Sequence, residues 1–187
     1  MNRKTIRENQ NPSEALGKGA SYPEPSSIYA MNFLERQHVE LRDMFAQMKG
    51  EQSETGRRRL LERVTTYLRN HSALEERHFY PGVRNEETKK LLAHSLEEHK
   101  DAEEGLGKLL AEEFDESFER KFEKLAEDVQ HHMRDEEDKL FPEVARTVLV
   151  STLTRIGEEM ERSYRSMVLQ GPSVADQAST TKKNATD

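Results

Sequence analysis

One half of this sequence repeats the other, and the repeat carries residues that bind metals. The segment from His71 to Val83 reads His-x-x-x-Glu-Glu and continues to an aromatic residue followed by proline. The same pattern returns 61 residues later, from His132 to Val144. A duplicated segment of this length predicts two similar structural units that pack against each other.

An isolated histidine precedes each of the two segments by 33 residues. A single shift therefore relates two triplets of candidate metal ligands: His38, His71 and Glu75 in the first half, and His99, His132 and Glu136 in the second. Residues four apart on a helix project to the same side, so each repeated His/Glu pair points into one space. Mixed imidazole and carboxylate ligation suits iron, manganese or zinc.

The apolar residues between the termini recur at steps of three and four, which predicts amphipathic helices. We expect five of them, at about 27–49, 57–79, 85–113, 115–140 and 152–169. Asn85 is the expected N-cap of the third helix, and Pro81 and Pro142 are expected to stop the second and fourth. Short turns join these segments. The prediction is an all-α fold, an antiparallel up-down four-helix bundle with a fifth C-terminal helix.

One domain accounts for the length of 187 residues. We expect the bundle to occupy residues 27–170, with a pseudo-repeat of 31–83 and 92–144. Polar residues with scattered prolines predict a flexible N-terminal arm at 1–26, and the composition of 171–187 predicts a disordered tail.

The six candidate ligands are predicted to meet at one depth of this bundle. The midpoint of His38 and His71 falls near Glu54 and that of His99 and His132 near Asp115, each inside a predicted turn. Residues equidistant from the turn of a helical hairpin lie side by side. A carboxylate in an apolar interior costs several kcal/mol, so two of them beside four histidines predict bound cations.

Composition excludes several other kinds of site. The chain has no cysteine, which excludes disulfides, thiolate metal sites and cysteine nucleophiles. A net charge of −7 argues against a nucleic-acid or anionic-membrane binder, and no apolar run approaches the ~20 residues of a membrane span. No secretory signal is visible at the N-terminus. These features favour a cytoplasmic protein, and they do not identify a protein partner.

Four other polar residues compete for a place in the site. His94 and His131 fall off the apolar stripes and are interpreted as surface residues. His78 is interpreted as a surface residue too, with an outer position around the site as the alternative. Glu103 faces the site on a helical projection, but its repeat counterpart is Arg42, which cannot bind a metal.

The two His-x-x-x-Glu motifs and the two isolated histidines resemble the hemerythrin-like family, the HHE cation-binding domain, over roughly residues 28–145. The resemblance implies a non-haem di-iron centre with an oxo or hydroxo bridge, with manganese or zinc as the alternatives. It implies that His38 and His71 bind one iron, that His99 and His132 bind the other, and that Glu75 and Glu136 bridge the two metals.

The sequence departs from the oxygen-carrying members of that family. They place a second histidine one turn from the ligand on the third helix, where this chain has Ser95 and Glu103. They also place an aspartate five residues after the fourth-helix histidine, where this chain has Glu136 at four. With the bridging oxygen bound to both irons, four imidazole nitrogens and four carboxylate oxygens leave one position open on each octahedral iron. Tyr67, one turn before His71, is the tyrosine predicted to be best placed to fill one.

Open positions favour reaction with peroxide or O2, or capture of NO, over simple oxygen carriage. Peroxide dismutation, a catalase-like activity, is the most concrete enzymatic interpretation, and it fits a role in oxidative or nitrosative stress. The alternative is a non-catalytic sensor of O2, NO or iron, or an iron-handling protein. The sequence leaves open whether the chain is an enzyme. A role in repair of iron–sulfur clusters is disfavoured because the family members proposed to do this carry paired cysteines.

Overall fold

The computed structural model describes residues 29–170, and all the regular secondary structure in this range is helical. The predicted arm at 1–26 and the tail at 171–187 lie outside the described residues. The prediction of an all-α bundle with a C-terminal helix is confirmed. No helix among the described residues is long and apolar enough to cross a lipid bilayer.

The helices follow one another with short connections. Their bounds are α1 Tyr29–Gly50, α2 Glu54–Leu74, π1 Glu75–Phe79, α3 Tyr80–Val83, α4 Lys89–Leu110, α5 Glu116–Asp135, π2 Glu136–Leu140, α6 Phe141–Thr147 and α7 Val150–Gln170. Here π1 and π2 are single five-residue π-helical segments. Since α2, π1 and α3 join without a gap, they form one long helix, and α5, π2 and α6 form another.

Side-chain caps fix the start of each long helix. Ser53 accepts a hydrogen bond from the backbone N–H of Gly56 before α2, and the Asp115 carboxylate accepts two from Ser117 and Phe118 before α5. The prediction that Asn85 caps the third helix is wrong, because α4 begins four residues later with Thr88 at the cap position. The Asn85 side chain instead accepts the N–H of Thr88 and shapes the turn before the helix.

Pro81 and Pro142 do not stop their helices as predicted. Each follows a π-helical segment in which a backbone N–H reaches back five residues, from Tyr80 to Glu75 in π1 and from Phe141 to Glu136 in π2. Proline is tolerated at the first turn of a helical segment because its missing N–H has no required partner there. The wide turn therefore lets each helix continue past its proline, and the 61-residue repeat extends to backbone geometry.

The hydrophobic core consists of two clusters separated by a polar layer. The upper cluster includes residues of α7, and its members are Ala30, Met31, Phe33, Leu34, Leu74, Phe79, Tyr80, Val83, Leu92, Leu140, Phe141, Val144, Leu153, Ile156 and Met160. The lower cluster lies towards the α1–α2 and α4–α5 turns: Leu41, Met44, Phe45, Met48, Leu61, Val64, Leu68, Leu106, Leu109, Phe118, Phe122, Leu125, Ala126, Val129 and Met133. On α1, His38 stands between Leu34 of the upper cluster and Leu41 of the lower one.

The C-terminal helix α7 packs against the first half of the bundle, mainly α1, α2 and π1. Its approach to α1 is close at Gly157, where an added Cβ would lie 2.9 Å from the backbone nitrogen of Ala30. Gly107, an exposed residue of α4, has nothing within 4 Å of the same added atom. Both glycines are thus helical, but a side chain has no room at Gly157 and ample room at Gly107.

Gly157→Ala is expected to lower the free energy of unfolding by about 1–3 kcal/mol, because the new methyl forces α7 away from α1. Gly107→Ala is the matched control, and it should raise the free energy of unfolding by up to about 1 kcal/mol because alanine favours the helix. Urea denaturation followed by circular dichroism measures both. Shifts of the same sign for the two variants would contradict the close packing of α7.

Candidate metal centre

The six side chains selected by the sequence repeat lie together in the polar layer between the two clusters. They are almost completely buried, and His99 is the most exposed of them at 7%. Two overlapping groups place one potential ligand atom per residue within 4.8 Å of every other: His38, His71, Glu75 and Glu136 in one, and Glu75, His99 and His132 in the other. Four continuous helices therefore converge on one small volume: α1, the helix formed by α2 and π1, α4, and the helix formed by α5 and π2.

The imidazole rings are arranged in two pairs. The centroids of the His38 and His71 rings are 4.9 Å apart with an angle of 74° between the ring planes. The His99 and His132 rings are 4.7 Å apart at 72°, and their Nε2 atoms are 3.1 Å apart. The same near-perpendicular arrangement in both halves gives the centre an internal two-fold pseudo-symmetry.

Each carboxylate lies between the two histidine pairs. Glu75 has one oxygen 3.3 Å from Nε2 of His71 and the other 3.2 Å from Nε2 of His99. Oε2 of Glu136 is 3.3 Å from Nε2 of His38 and 3.7 Å from Nε2 of His132. Each glutamate thus faces one imidazole of either pair, which is the position required of a group that bridges two bound ions.

The outward-facing nitrogen of every imidazole donates a hydrogen bond to a side chain outside the cluster. This second contact fixes the orientation of each ring, so that Nε2 points inward. The four Nδ1 contacts are His38 to Glu137 at 2.7 Å, His71 to Gln37 at 2.9 Å, His99 to Glu76 at 2.9 Å and His132 to Glu98 at 3.1 Å.

These outer partners obey the same 61-residue shift as the ligands, although we assigned them no role from the sequence. Glu76 and Glu137 are the second glutamates of the two repeated motifs, and each binds the isolated histidine of the other half. Gln37 and Glu98 directly precede the isolated histidines. Repetition of both pairs was the sequence signal that could have identified them. The two halves differ in one of these partners: the amide of Gln37 bonds His71, whereas the carboxylate of Glu98 bonds His132.

An aromatic residue of the repeat covers each histidine pair. Phe141 stacks on His38 with the rings 7° from parallel, and its counterpart Tyr80 stacks on His99 at 22°. Only the tyrosine brings a polar group, and its hydroxyl donates to Oε1 of Glu136 at 2.9 Å. The hydroxyl oxygen is also 3.3 Å from Nε2 of His99. Tyr80 is therefore the tyrosine that reaches the centre.

Two residues considered from the sequence lie away from the centre. The hydroxyl of Tyr67 faces Glu40 and Tyr164, so the prediction that it is the tyrosine best placed for the metals is wrong. Glu103 is half-exposed and forms an ion pair with Arg69 at 2.6 Å. A helical projection gives only the direction of a side chain around its own helix, and it could not show which residues of other helices would bind these two.

Burial and neighbouring charges shift the pKa values of the two glutamates in opposite directions. Burial and the charge of Glu136 raise the pKa of Glu75 well above its usual value. Burial also opposes ionisation of Glu136, but the imidazoles of His132 and His38 outweigh it and lower the pKa of that carboxyl. Although burial disfavours its charged form, the carboxylates of Glu136 and Glu137 raise the pKa of His38 to about 9. Two adjacent carboxylates thus compete for positive charge, a conflict that a bound cation relieves.

Unsatisfied polar atoms identify what the centre can hold. Seven buried side-chain nitrogen or oxygen atoms in residues 29–170 lack a hydrogen-bond partner, and five of them belong to this cluster. They are Nε2 of His38, Nε2 of His71, both carboxylate oxygens of Glu75 and Oε2 of Glu136. Buried polar groups without partners are rare, and all five are atoms that coordinate transition metals. The residues present therefore fit bound metal ions.

A groove of about 370 Å³ lies at the surface between α2 and α4 and extends inward as far as His99. Leu68, Ala73 and Leu96 contribute to its walls, and His99 lies in its lining. A small ligand has a route to the His99 side of the cluster.

Comparison with models of protein families identifies a relationship for this chain. The model of the family described as the hemerythrin HHE cation binding domain matches residues 30–144, which include all six cluster residues. No curated protein and no solved structure matches the chain. The match covers more than half of the sequence, and it contains both repeats.

Glu75→Gln and Glu136→Gln make the same chemical change at the two carboxylates, and we expect opposite results in the presence of a chelator. Glu75→Gln should raise the free energy of unfolding, by up to about 1–3 kcal/mol, because it replaces a carboxyl whose ionised form is unfavourable there with an amide that can donate to Glu136. Glu136→Gln should lower it by a similar amount, because His38 loses a charged partner. Equal destabilisation by both substitutions in urea titrations would contradict these roles.

Proposed function

The chain belongs to the family of the hemerythrin HHE cation-binding domain, and from this membership we propose that it is a non-haem di-iron protein that reacts with or binds peroxide, O2 or NO. Family membership supports cation binding by the domain. The observation that supports this proposal most directly is the set of five unpartnered nitrogen and oxygen atoms that face one another in the buried layer.

In this proposal His38 and His71 hold one ion, and His99 and His132 hold the other. The two ring pairs and the position of Glu75 and Glu136 between them support this division. Two iron ions, when bound, supply exchangeable electrons and open coordination positions. The protein's contribution is to hold the imidazoles by their outer hydrogen bonds and to exclude bulk water with the apolar clusters on either side.

Tyr80 and Ser95 favour chemistry over simple carriage. Ser95 occupies a position one turn from His99 where oxygen carriers of the family place a further histidine, and its hydroxyl donates to the Tyr80 hydroxyl. Burial, with the charges of Glu136 and Glu75, raises the pKa of Tyr80, so its phenol keeps its proton. A protonated hydroxyl beside Glu136 and His99 is a group that can hold and return a proton during a reaction.

Peroxide dismutation is the most concrete activity for this arrangement. Two molecules of hydrogen peroxide give two of water and one of dioxygen, so one peroxide is reduced and the other is oxidised. The reduced molecule takes up two protons as its O–O bond breaks, and the oxidised one releases two. We propose that the Tyr80 hydroxyl, oriented by its hydrogen bond to Glu136, transfers one of these protons, and that peroxide arrives through the groove beside His99.

Purified protein is expected to contain two iron ions per chain and to absorb in the near ultraviolet by charge transfer to iron. His132→Ala should abolish most of this absorption and lower the iron content, because it removes an inward-facing nitrogen. His78→Ala is the control, since this half-buried histidine lies outside the cluster. Metal analysis together with absorption spectroscopy measures both variants. Iron content and absorption that survive in His132→Ala would contradict the ligand assignment.

Oxygen evolution from added peroxide tests the activity. In the iron-loaded protein Tyr80→Phe should lower kcat on the order of 10²-fold, because the proton-bearing hydroxyl is lost while the stacked ring remains. The fold should persist, since the repeat places phenylalanine at the equivalent position 141. Tyr67→Phe removes a hydroxyl distant from the centre and should leave kcat unchanged.

Other outcomes of the same assay distinguish the alternatives. Iron-loaded protein that releases no dioxygen from peroxide but gives reversible visible absorption with O2 or NO would support a sensor. Iron uptake far above two ions per chain would support iron handling. Equal loss of activity in Tyr80→Phe and Tyr67→Phe would contradict proton transfer by Tyr80.

A further inference from the structure

A second group of potential metal ligands lies on the outer face of α4 and α5. His94, Glu98 and Asp135 each place one ligand atom within 4.8 Å of the others. Nε2 of His94 is 3.5 Å from Oε1 of Glu98, and Nδ1 of His131 is 3.9 Å from Oδ1 of Asp135. Two imidazoles and two carboxylates from neighbouring helices therefore meet at the surface.

A hydrogen bond to one oxygen holds each of the two carboxylates in place. The second oxygen of Glu98 accepts the hydrogen bond from His132, and Oδ2 of Asp135 accepts one from Lys139 at 2.6 Å. Both carboxylates are largely buried, with 16% and 15% of the side chain exposed. Each therefore has one oxygen fixed by a neighbour and the other directed towards the histidines, an arrangement that limits the entropy lost on binding an ion.

The two histidines are free to complete such a site. The side chains of His94 and His131 are 54% and 57% exposed, and each stands four residues before one of the two carboxylates on its own helix. Imidazole with carboxylate suits divalent transition metals and not calcium or magnesium, which prefer oxygen ligands alone. The chemistry of the cluster thus specifies the class of ion.

The cluster is a departure from the internal repeat. The first-half counterparts of His94, Glu98, His131 and Asp135 are Phe33, Gln37, Asn70 and Leu74, which cannot form such a site. In the first half this face is also covered, because Phe33 and Leu74 pack with residues of α7 in the upper cluster. The ligands occur only in the second half, on the face that α7 does not cover among the described residues.

We propose that His94, Glu98 and Asp135, with His131 beside them, bind one divalent transition-metal ion at the surface of the bundle. The site is separate from the buried centre and does not depend on the function proposed for it. The two are connected through Glu98, which has one oxygen facing His94 and the other bonded to His132. An ion in the outer site is thus one side chain away from the inner histidines.

Zinc ion alone is the probe, titrated into the full-length iron-loaded protein by calorimetry and equilibrium dialysis. One zinc ion per chain is expected beyond the metal already bound. His94→Ala and Asp135→Asn should each weaken this binding by about 10–100-fold, a range typical of the loss of a metal-site residue. His78→Ala should leave it unchanged, because His78 belongs to neither the inner nor the outer group of potential ligands.

The same variants separate this proposal from the one for the inner centre. His38→Ala should lower the iron content and retain the additional zinc ion, whereas His94→Ala should retain the iron and lose the zinc. Absence of an additional zinc ion in the parent protein would overturn the proposal. So would equal zinc affinity in His94→Ala and in the parent, with circular dichroism showing that the variant is folded.

Discussion

The burial of two carboxylates among four imidazoles is the constraint on which the rest of the structure depends. An ionised carboxylate inside a protein is unfavourable without compensating positive charge or hydrogen bonds, and Glu75 has neither in sufficient measure. The bundle divides its core into two apolar clusters so that this polar layer can exist between them. Stability and metal affinity are therefore linked, because a bound ion would remove a destabilising conflict at the centre of the fold.

The outer hydrogen bonds convert a loose collection of polar residues into a preorganised centre. Each imidazole is held through Nδ1, so its Nε2 is already directed into the cluster before an ion binds. The duplication supplies these contacts in symmetric pairs. The two halves differ at two positions. The His99/His132 pair is contacted by the carboxylate of Glu98 and the hydroxyl-bearing ring of Tyr80, whereas Gln37 and Phe141 occupy these positions beside His38 and His71.

Sequence periodicity was sufficient for the helices, the bundle and the convergence of the six residues, because all depend on spacing along the chain. It failed where a local contact decides the outcome. Pro81 was read as a helix stop because an α-helix cannot accommodate it, but a change of hydrogen-bond register can. Tyr67 and Tyr80 could not be ranked by spacing, since the partner of each hydroxyl lies on another helix. Asn85 has the right chemistry for a cap, but its side chain bonds within the turn before α4, and the helix starts after Thr88.

The two π-helical segments change the phase of the helices that carry the glutamates. Along π1 the buried positions pass from Leu68, His71 and Glu75 to Phe79 and Tyr80, which are adjacent in sequence. An extra residue in one turn rotates everything beyond it by roughly 100° relative to an uninterrupted α-helix. One continuous helix can thus direct its metal-binding side chains and its aromatic rings at different angles around its axis. The interior-facing side of each long helix therefore has two parts, one before and one after the π-helical segment. The number of residues in that segment sets the rotation between them.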